Sequence, residues 1–102
     1  MTHSALHTIS KSLHDQVWLF EQLAFTRAGD TILLMQDAVL ATHSRLSLGS
    51  FVAKCQAKGV AIVALSDDLQ LRGVQNYYSE ISLVDYAGFV ALVARHEKQV
   101  AW

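Results

Sequence analysis

The sequence has no proline, five glycines and a single cysteine in 102 residues. One cysteine makes no internal disulfide, and without a second there is neither a C-x-x-C redox pair nor a cysteine-based zinc site. That usage fits a reducing compartment, so a cytoplasmic location is expected. Charge of one sign is also scarce: eight Lys and Arg stand against nine Asp and Glu, for a net charge of -1. With no basic stripe to neutralise phosphates, nucleic-acid binding through bulk charge is not expected. Long apolar runs are missing too. The longest, Val60 to Leu65, is far below the roughly 20 residues that span a bilayer. The stretch from Met1 to Ser10 has no charged start followed by an apolar run, so neither a membrane span nor a secretory signal is expected.

Hydrophobicity is what the chain has: 52% of residues are hydrophobic and 17% charged. Low hydrophobicity and high net charge keep a chain disordered, and neither applies. A chain of this length supports one core, so a single domain over 1–102 is expected.

Leu6-His7-Thr8-Ile9 is apolar and β-branched and runs into the polar Ser10-Lys11-Ser12, which predicts a strand and a turn. Leu13, Val17, Phe20, Leu23 and Ala24 then recur at helical spacing, which predicts a helix reaching Ala28 and stopped by Gly29. Thr31 to Met35 is apolar on consecutive positions, as in a strand buried on both faces. Ala38 to Thr42 suits one helical turn, and His43 to Ser50 is polar enough for a loop. Phe51 to Lys58 reads as a helix stopped by Gly59, and Val60 to Leu65 as the clearest buried strand. A short helix over Leu69 to Arg72, a strand over Ile81 to Val84 and a helix over Tyr86 to His96 follow. The last places Phe89, Val90, Leu92 and Val93 on one side. Alternating strands and helices predict an α/β three-layer sandwich, with a mostly parallel sheet of four or five strands and helices on both faces.

In such folds a site lies beyond the carboxyl ends of the strands. Ser10, Asp37, Asp67 with Asp68, and Asp85 fall there. Their carboxylates suit either a hard cation or an acid and base pair, but each acid also stands just before a helical segment, and capping is the more ordinary use. His3, His7, His14, His43 and His96 show no H-x-x-x-H or H-E-x-x-H spacing, so no metal site is assigned. His7, inside a strand, reads as a buried hydrogen-bonded residue or as part of the strand-end cleft. No phosphate-binding glycine loop or nucleophile elbow is present, and no cofactor is assigned. Cys55 is the one strong nucleophile. It falls within a helix, where a buried thiol is inert, although Lys54 and Lys58 would favour its thiolate if it were exposed.

Four strings resemble the TusB/DsrH family of sulfur-relay proteins: Leu6 to Ser12, Leu33 to Val39, Leu65 to Gly73, and Val84 to Val93. The resemblance marks His7, Asp37, Asp67, Arg72, Asp85 and Tyr86 within them as family-motif positions, and the Ala101-Trp102 pair is a further likeness. The resemblance implies a fold of the DsrE/DsrF/DsrH type. It also implies a structural, non-catalytic place in a heterohexamer with TusC/DsrF-like and TusD/DsrE-like subunits. That complex passes persulfide sulfur between cysteines, toward a TusE/DsrC-like acceptor and 2-thiolation of the tRNA wobble uridine, or within dissimilatory sulfur oxidation. In the family the established carrier cysteine belongs to the TusD/DsrE-type partner. The chain departs from the pattern in places: Gln22 stands where some members carry a cysteine, Leu13 where proline is common, and Val100 where glutamine precedes Ala-Trp. Cys55 matches no family motif, and a carrier role for it is the alternative reading. A homo-oligomer is an open outcome for the isolated chain.

Surplus apolar surface is expected at interfaces, where aromatic residues are enriched, which makes Trp18, Tyr77, Tyr78 and Trp102 interface candidates. On that reading, deleting Val100 to Trp102 weakens assembly and leaves the isolated fold nearly intact.

Overall fold

Residues 4–13, 16–42, 49–76 and 79–102 are described in a computed structural model. Its elements run in the order β1 (Ala5–Ile9), α1 (Gln16–Leu23), β2 (Thr31–Leu34), a 3₁₀ helix (Gln36–Thr42), α2 (Gly49–Lys58), β3 (Ala61–Leu65), α3 (Ser66–Leu71), β4 (Ser82–Val84), α4 (Tyr86–Arg95) and β5 (Lys98–Ala101). The five strands pair in the order β4-β3-β2-β1-β5, and every pairing is parallel. The three-layer α/β sandwich expected from the alternating pattern is the fold observed. Of the predicted loop over His43 to Ser50, positions 43–48 lie outside the described residues, and Gly49 and Ser50 open α2.

β2 is buried at all four positions, which is why Thr31 to Leu34 shows no polar alternation. Side chains alternate across each strand and divide the core in two. On one face Ile9, Ile32, Leu34, Ile62 and Ala64 meet Leu19 and Leu23 of α1, Phe51, Val52 and Cys55 of α2, and Leu69 of α3. On the other, Leu6, Leu33 and Val63 meet Leu92, with Phe89, Met35 and Val84 packed alongside. Three α-helices thus serve one face of the sheet, and α4 serves the other.

Some elements depart from the sequence pattern, and α3 opens at Ser66, three residues before the expected Leu69. The first helix ends at Leu23, not near Ala28. The Leu23 carbonyl accepts from Thr26 Oγ1 and from Lys58 Nζ, each at 2.7 Å, and the Asp30 carboxylate takes the Arg27 N–H at 3.1 Å. One captured carbonyl and a diverted donor end a helix that propensity alone would continue. β5 has no strand signature, because all four of its residues are exposed. It pairs along β1, with Ala5 opposite Lys98 and His7 opposite Val100, and Trp102 N–H extends the ladder to the Thr8 carbonyl at 2.9 Å. Backbone pairing, not side-chain burial, makes it a strand, and its Lys and Gln suit an edge.

Candidate functional site

The strand ends hold an ion-paired clasp. Arg72 donates through Nε and Nη2 to Asp37 Oδ1, at 3.2 and 3.1 Å, and its Nη1 lies 3.6 Å from Asp68 Oδ1. The other Asp68 oxygen accepts the Gln36 N–H at 2.6 Å, where Gln36 has the left-handed φ of 51°. A non-glycine residue in that region is strained, and the charge-assisted bond offsets the strain. The clasp therefore ties the 3₁₀ helix to α3, with one guanidinium shared between two carboxylates. Asp85 caps α4 by accepting the Gly88 N–H at 2.7 Å. Asp67 lies exposed in the first turn of α3, and Tyr86 is exposed at the start of α4. Of the strand-end acids, Asp37 and Asp68 are brought together, and Asp85 is not joined to them. Among the described residues no group of three or more His, Cys, Asp or Glu side chains is placed to hold a metal ion.

A second cluster is built on β1. His7 is buried, and its Nδ1 accepts from Trp102 Nε1 at 3.0 Å while its Nε2 meets Asp30 Oδ2 at 2.9 Å. Asp30 also accepts the N–H groups of Ala5 at 3.0 Å and Arg27 at 3.1 Å. Burial pushes the Asp30 carboxyl up, but the His7 bond and the two backbone donors outweigh it and hold the group below the usual carboxylate range. Across the sheet, His96 bonds with Ser4 Oγ at 2.9 Å and Thr31 Oγ1 at 3.0 Å. Burial and the Arg95 charge lower its pKa against a weaker pull from Asp30. His3, His14 and His43 lie outside the described residues.

Trp102 packs against the core in a T-shaped aromatic set: its ring centroid is 5.7 Å from His7, 5.9 Å from Trp18 and 6.5 Å from Phe51. Trp18 also carries the Lys11 ammonium 4.3 Å above its ring. Both tryptophans are half-buried and engaged within the chain, and Tyr77 and Tyr78 lie outside the described residues.

Cys55 has 0% exposure, among the side chains between α2 and the sheet. Burial pushes its thiol up to about 12, against a small opposing effect of the Lys58 charge. The side chain is shut away from solvent, and its burial favours the thiol over the thiolate.

An exposed apolar stripe runs along α4. Tyr86, Val90 and Val93 are exposed by 63%, 54% and 37%, and their spacing of four and three places them on one stripe. Ala87, Ala91 and Ala94 extend it, and the only charge on the helix is Arg95 in its last turn. A helix that is apolar all round is normally buried. Phe89 and Leu92 face the sheet, whereas Val90 and Val93, expected beside them, face away. The signal was present in the sequence as ten residues with one charge. Asp30 was missed because its partner His7 is 23 residues away in sequence.

Comparison with known proteins gives the following likenesses. A family model described as DsrH like protein matches residues 11–99. Protein TusB of Cronobacter sakazakii is 39% identical over 98 residues, spanning 95% of this chain and 99% of the relative. Protein TusB of Serratia proteamaculans is 36% identical over 103 residues and that of Escherichia coli K12 35% over 101, with the same coverage. The crystal structure of the ychN protein from Escherichia coli superposes with a TM-score of 0.73 over 100% of both chains, at 13% identity. The structure of a Methanobacterium thermoautotrophicum protein of unknown function does so with a TM-score of 0.75 over 99% of this chain and 100% of its own, also at 13% identity. At that identity the structural likeness establishes the fold.

Proposed function

The chain belongs to the DsrH-like family, and on that premise we propose that it is a sulfur-relay subunit that scaffolds the transfer without carrying sulfur. The observation that supports the scaffold reading is the state of Cys55, fully buried and held as a thiol. Persulfide transfer requires an acceptor thiolate to attack the outer sulfur of a donor Cys–S–SH. The donor S–S bond breaks, the donor leaves as a thiolate, and the acceptor gains the persulfide with no net oxidation. A cysteine that takes part must ionise and reach solvent, and Cys55 does neither. Cys55 is therefore read as core packing, and the relay cysteines are placed on the partners.

The partners are related subunits of the TusC/DsrF and TusD/DsrE types, in a heterohexamer in the cytoplasm. The relay feeds 2-thiolation of the tRNA wobble uridine through a TusE/DsrC-like acceptor. The α4 stripe is the surface this reading assigns to subunit docking. It is apolar and nearly uncharged, as the cores of stable interfaces are, and its alanines allow close approach. Trp18 and Trp102 support the chain from within, and their place in the assembly is to shape the sheet edge beside them.

Co-expression with the two related subunits, followed by native mass spectrometry without reductant, tests the reading. A hexamer with two copies of each subunit, and added sulfur on a partner cysteine alone, is expected. Added sulfur on Cys55, or a chain that never joins the others, overturns it.

A further inference from the structure

We propose that the groove between α1 and α2 is a docking site for an acidic, apolar-faced peptide segment of a partner protein. This surface lies across the sheet from α4. The groove is open, with a volume of about 570 Å³, and is lined by Phe20, Leu23 and Ala24 from α1 and Lys54, Ala57 and Lys58 from α2. Four lining residues are apolar, two carry ammonium groups, and none carries a carboxylate. That charge pattern selects the occupant: apolar side chains fill the floor, and carboxylates meet the two lysines.

Both ammonium groups are held at the groove by its own residues. Lys58 Nζ donates to the Leu23 carbonyl at 2.7 Å, and Lys54 Nζ lies 5.5 Å from the centre of the Phe20 ring. Neither lysine is ion-paired with an acid among the described residues. An ammonium already restrained at a site loses less side-chain freedom when a carboxylate arrives, so the lysines are organised for the contact before it forms. They stand four residues apart on α2, on one face of that helix. Two further apolar side chains near the lining in sequence are exposed: Val17, three residues before Phe20, by 70%, and Phe25, next to Ala24, by 78%. Ala24 and Ala57 leave the centre of the groove shallow enough for a backbone to approach. A purely apolar partner would leave the two ammonium groups unpaired, and a basic one would be repelled.

The test is selection of a phage-displayed library of random peptides on the full chain, with each recovered peptide titrated by fluorescence anisotropy. Lys54→Glu and Ala57→Glu are the comparison proteins. Both positions are exposed on α2, and a melting curve for each variant verifies the fold. Recovered peptides should combine Leu or Phe with Asp or Glu, and each variant should weaken binding by about tenfold or more. Added salt should weaken it further, and amide shifts on peptide addition should centre on Phe20, Ala24 and Ala57. The proposal is overturned if no peptide is recovered, if acidic residues are not enriched, or if binding is unchanged in folded variants. Self-association of the wild-type chain that Lys54→Glu abolishes would assign the groove to a second copy and overturn it equally.

Discussion

Trp102 Nε1–H donates to His7 Nδ1 at 3.0 Å, and this one bond sets the tautomer of a buried histidine 95 residues away in sequence. An indole nitrogen is a donor only, so His7 Nδ1 must be the acceptor and the ring proton sits on Nε2. Nε2–H then donates to Asp30 Oδ2 at 2.9 Å. Asp30 in turn takes the backbone N–H groups of Ala5 and Arg27. The edge strand, the start of β1 and the approach to β2 are thus joined by one buried polar chain, every member of which is satisfied.

Trp102→Phe keeps an aromatic ring at the site and removes its N–H. His7 Nδ1 is left without its donor, and a loss of about 1–3 kcal/mol is expected in urea unfolding. Trp102→Ala also loses the ring contacts with Trp18 and Phe51 and should cost about 3 kcal/mol or more. Deleting Val100 to Trp102 removes half of β5 together with this anchor, so a loss of stability in the isolated chain is expected as well as any effect on assembly. A deletion variant that melts with the wild type would contradict the account.

Cys55 should resist alkylation by iodoacetamide in the folded chain and react rapidly once urea unfolds it, as intact-mass analysis over time would record. Cys55→Ala should cost about 1 kcal/mol and leave sulfur transfer by the assembled complex unchanged. Cys55→Ser should cost about 1–3 kcal/mol, because it places a hydroxyl in an apolar site. Alkylation of the native chain at the unfolded rate would require a thiol more accessible than the one seen here.

Val90→Asp places a charge in the middle of the exposed α4 stripe. The monomer should keep its stability to within about 0.5 kcal/mol, since the side chain is already in solvent. Binding to the partner subunits should weaken by about 2 kcal/mol or more, read by co-purification and by titration calorimetry. Unaltered partner binding would remove α4 from the interface.

Acid should destabilise the chain in two stages. The His96 pKa is lowered in the fold, so below the ordinary histidine value near 6.5 the unfolded chain binds a proton that the native one refuses. That contribution is complete above about pH 6.5 and declines as the pH falls toward the folded value. The Asp30 pKa is lowered as well, so its contribution is present above the ordinary carboxylate value near 4 and is lost as pH falls through the folded value. Urea midpoints should drop between pH 7 and 5 and again below 4, and His96→Gln should flatten the first drop. A first drop of unchanged size in that variant would place its origin elsewhere.

The central strands and the sheet class were legible because their cause is local. Thr31 to Leu34 and Ala61 to Leu65 are apolar on consecutive positions, and only a sheet covered on both faces buries such a run. Asp85 as a cap was legible for the same reason, since its acceptor role needs only the Gly88 N–H three residues on. The early end of α1 was not, because the Lys58 ammonium that holds its last carbonyl comes from 35 residues away. β5 was invisible because its four residues are exposed and only pairing with β1 makes them a strand. Asp37, Asp68 and Arg72 could be named from sequence, but their union in one clasp depends on the turn after β2 lying beside α3. By itself the sequence determined which segments must be buried and what family the chain resembles, since periodicity and composition act over a few residues. Tertiary structure alone decided which polar groups meet, that Cys55 is shut away from solvent, and which flank of α4 is left uncovered, because each depends on segments brought together only by the folded sheet.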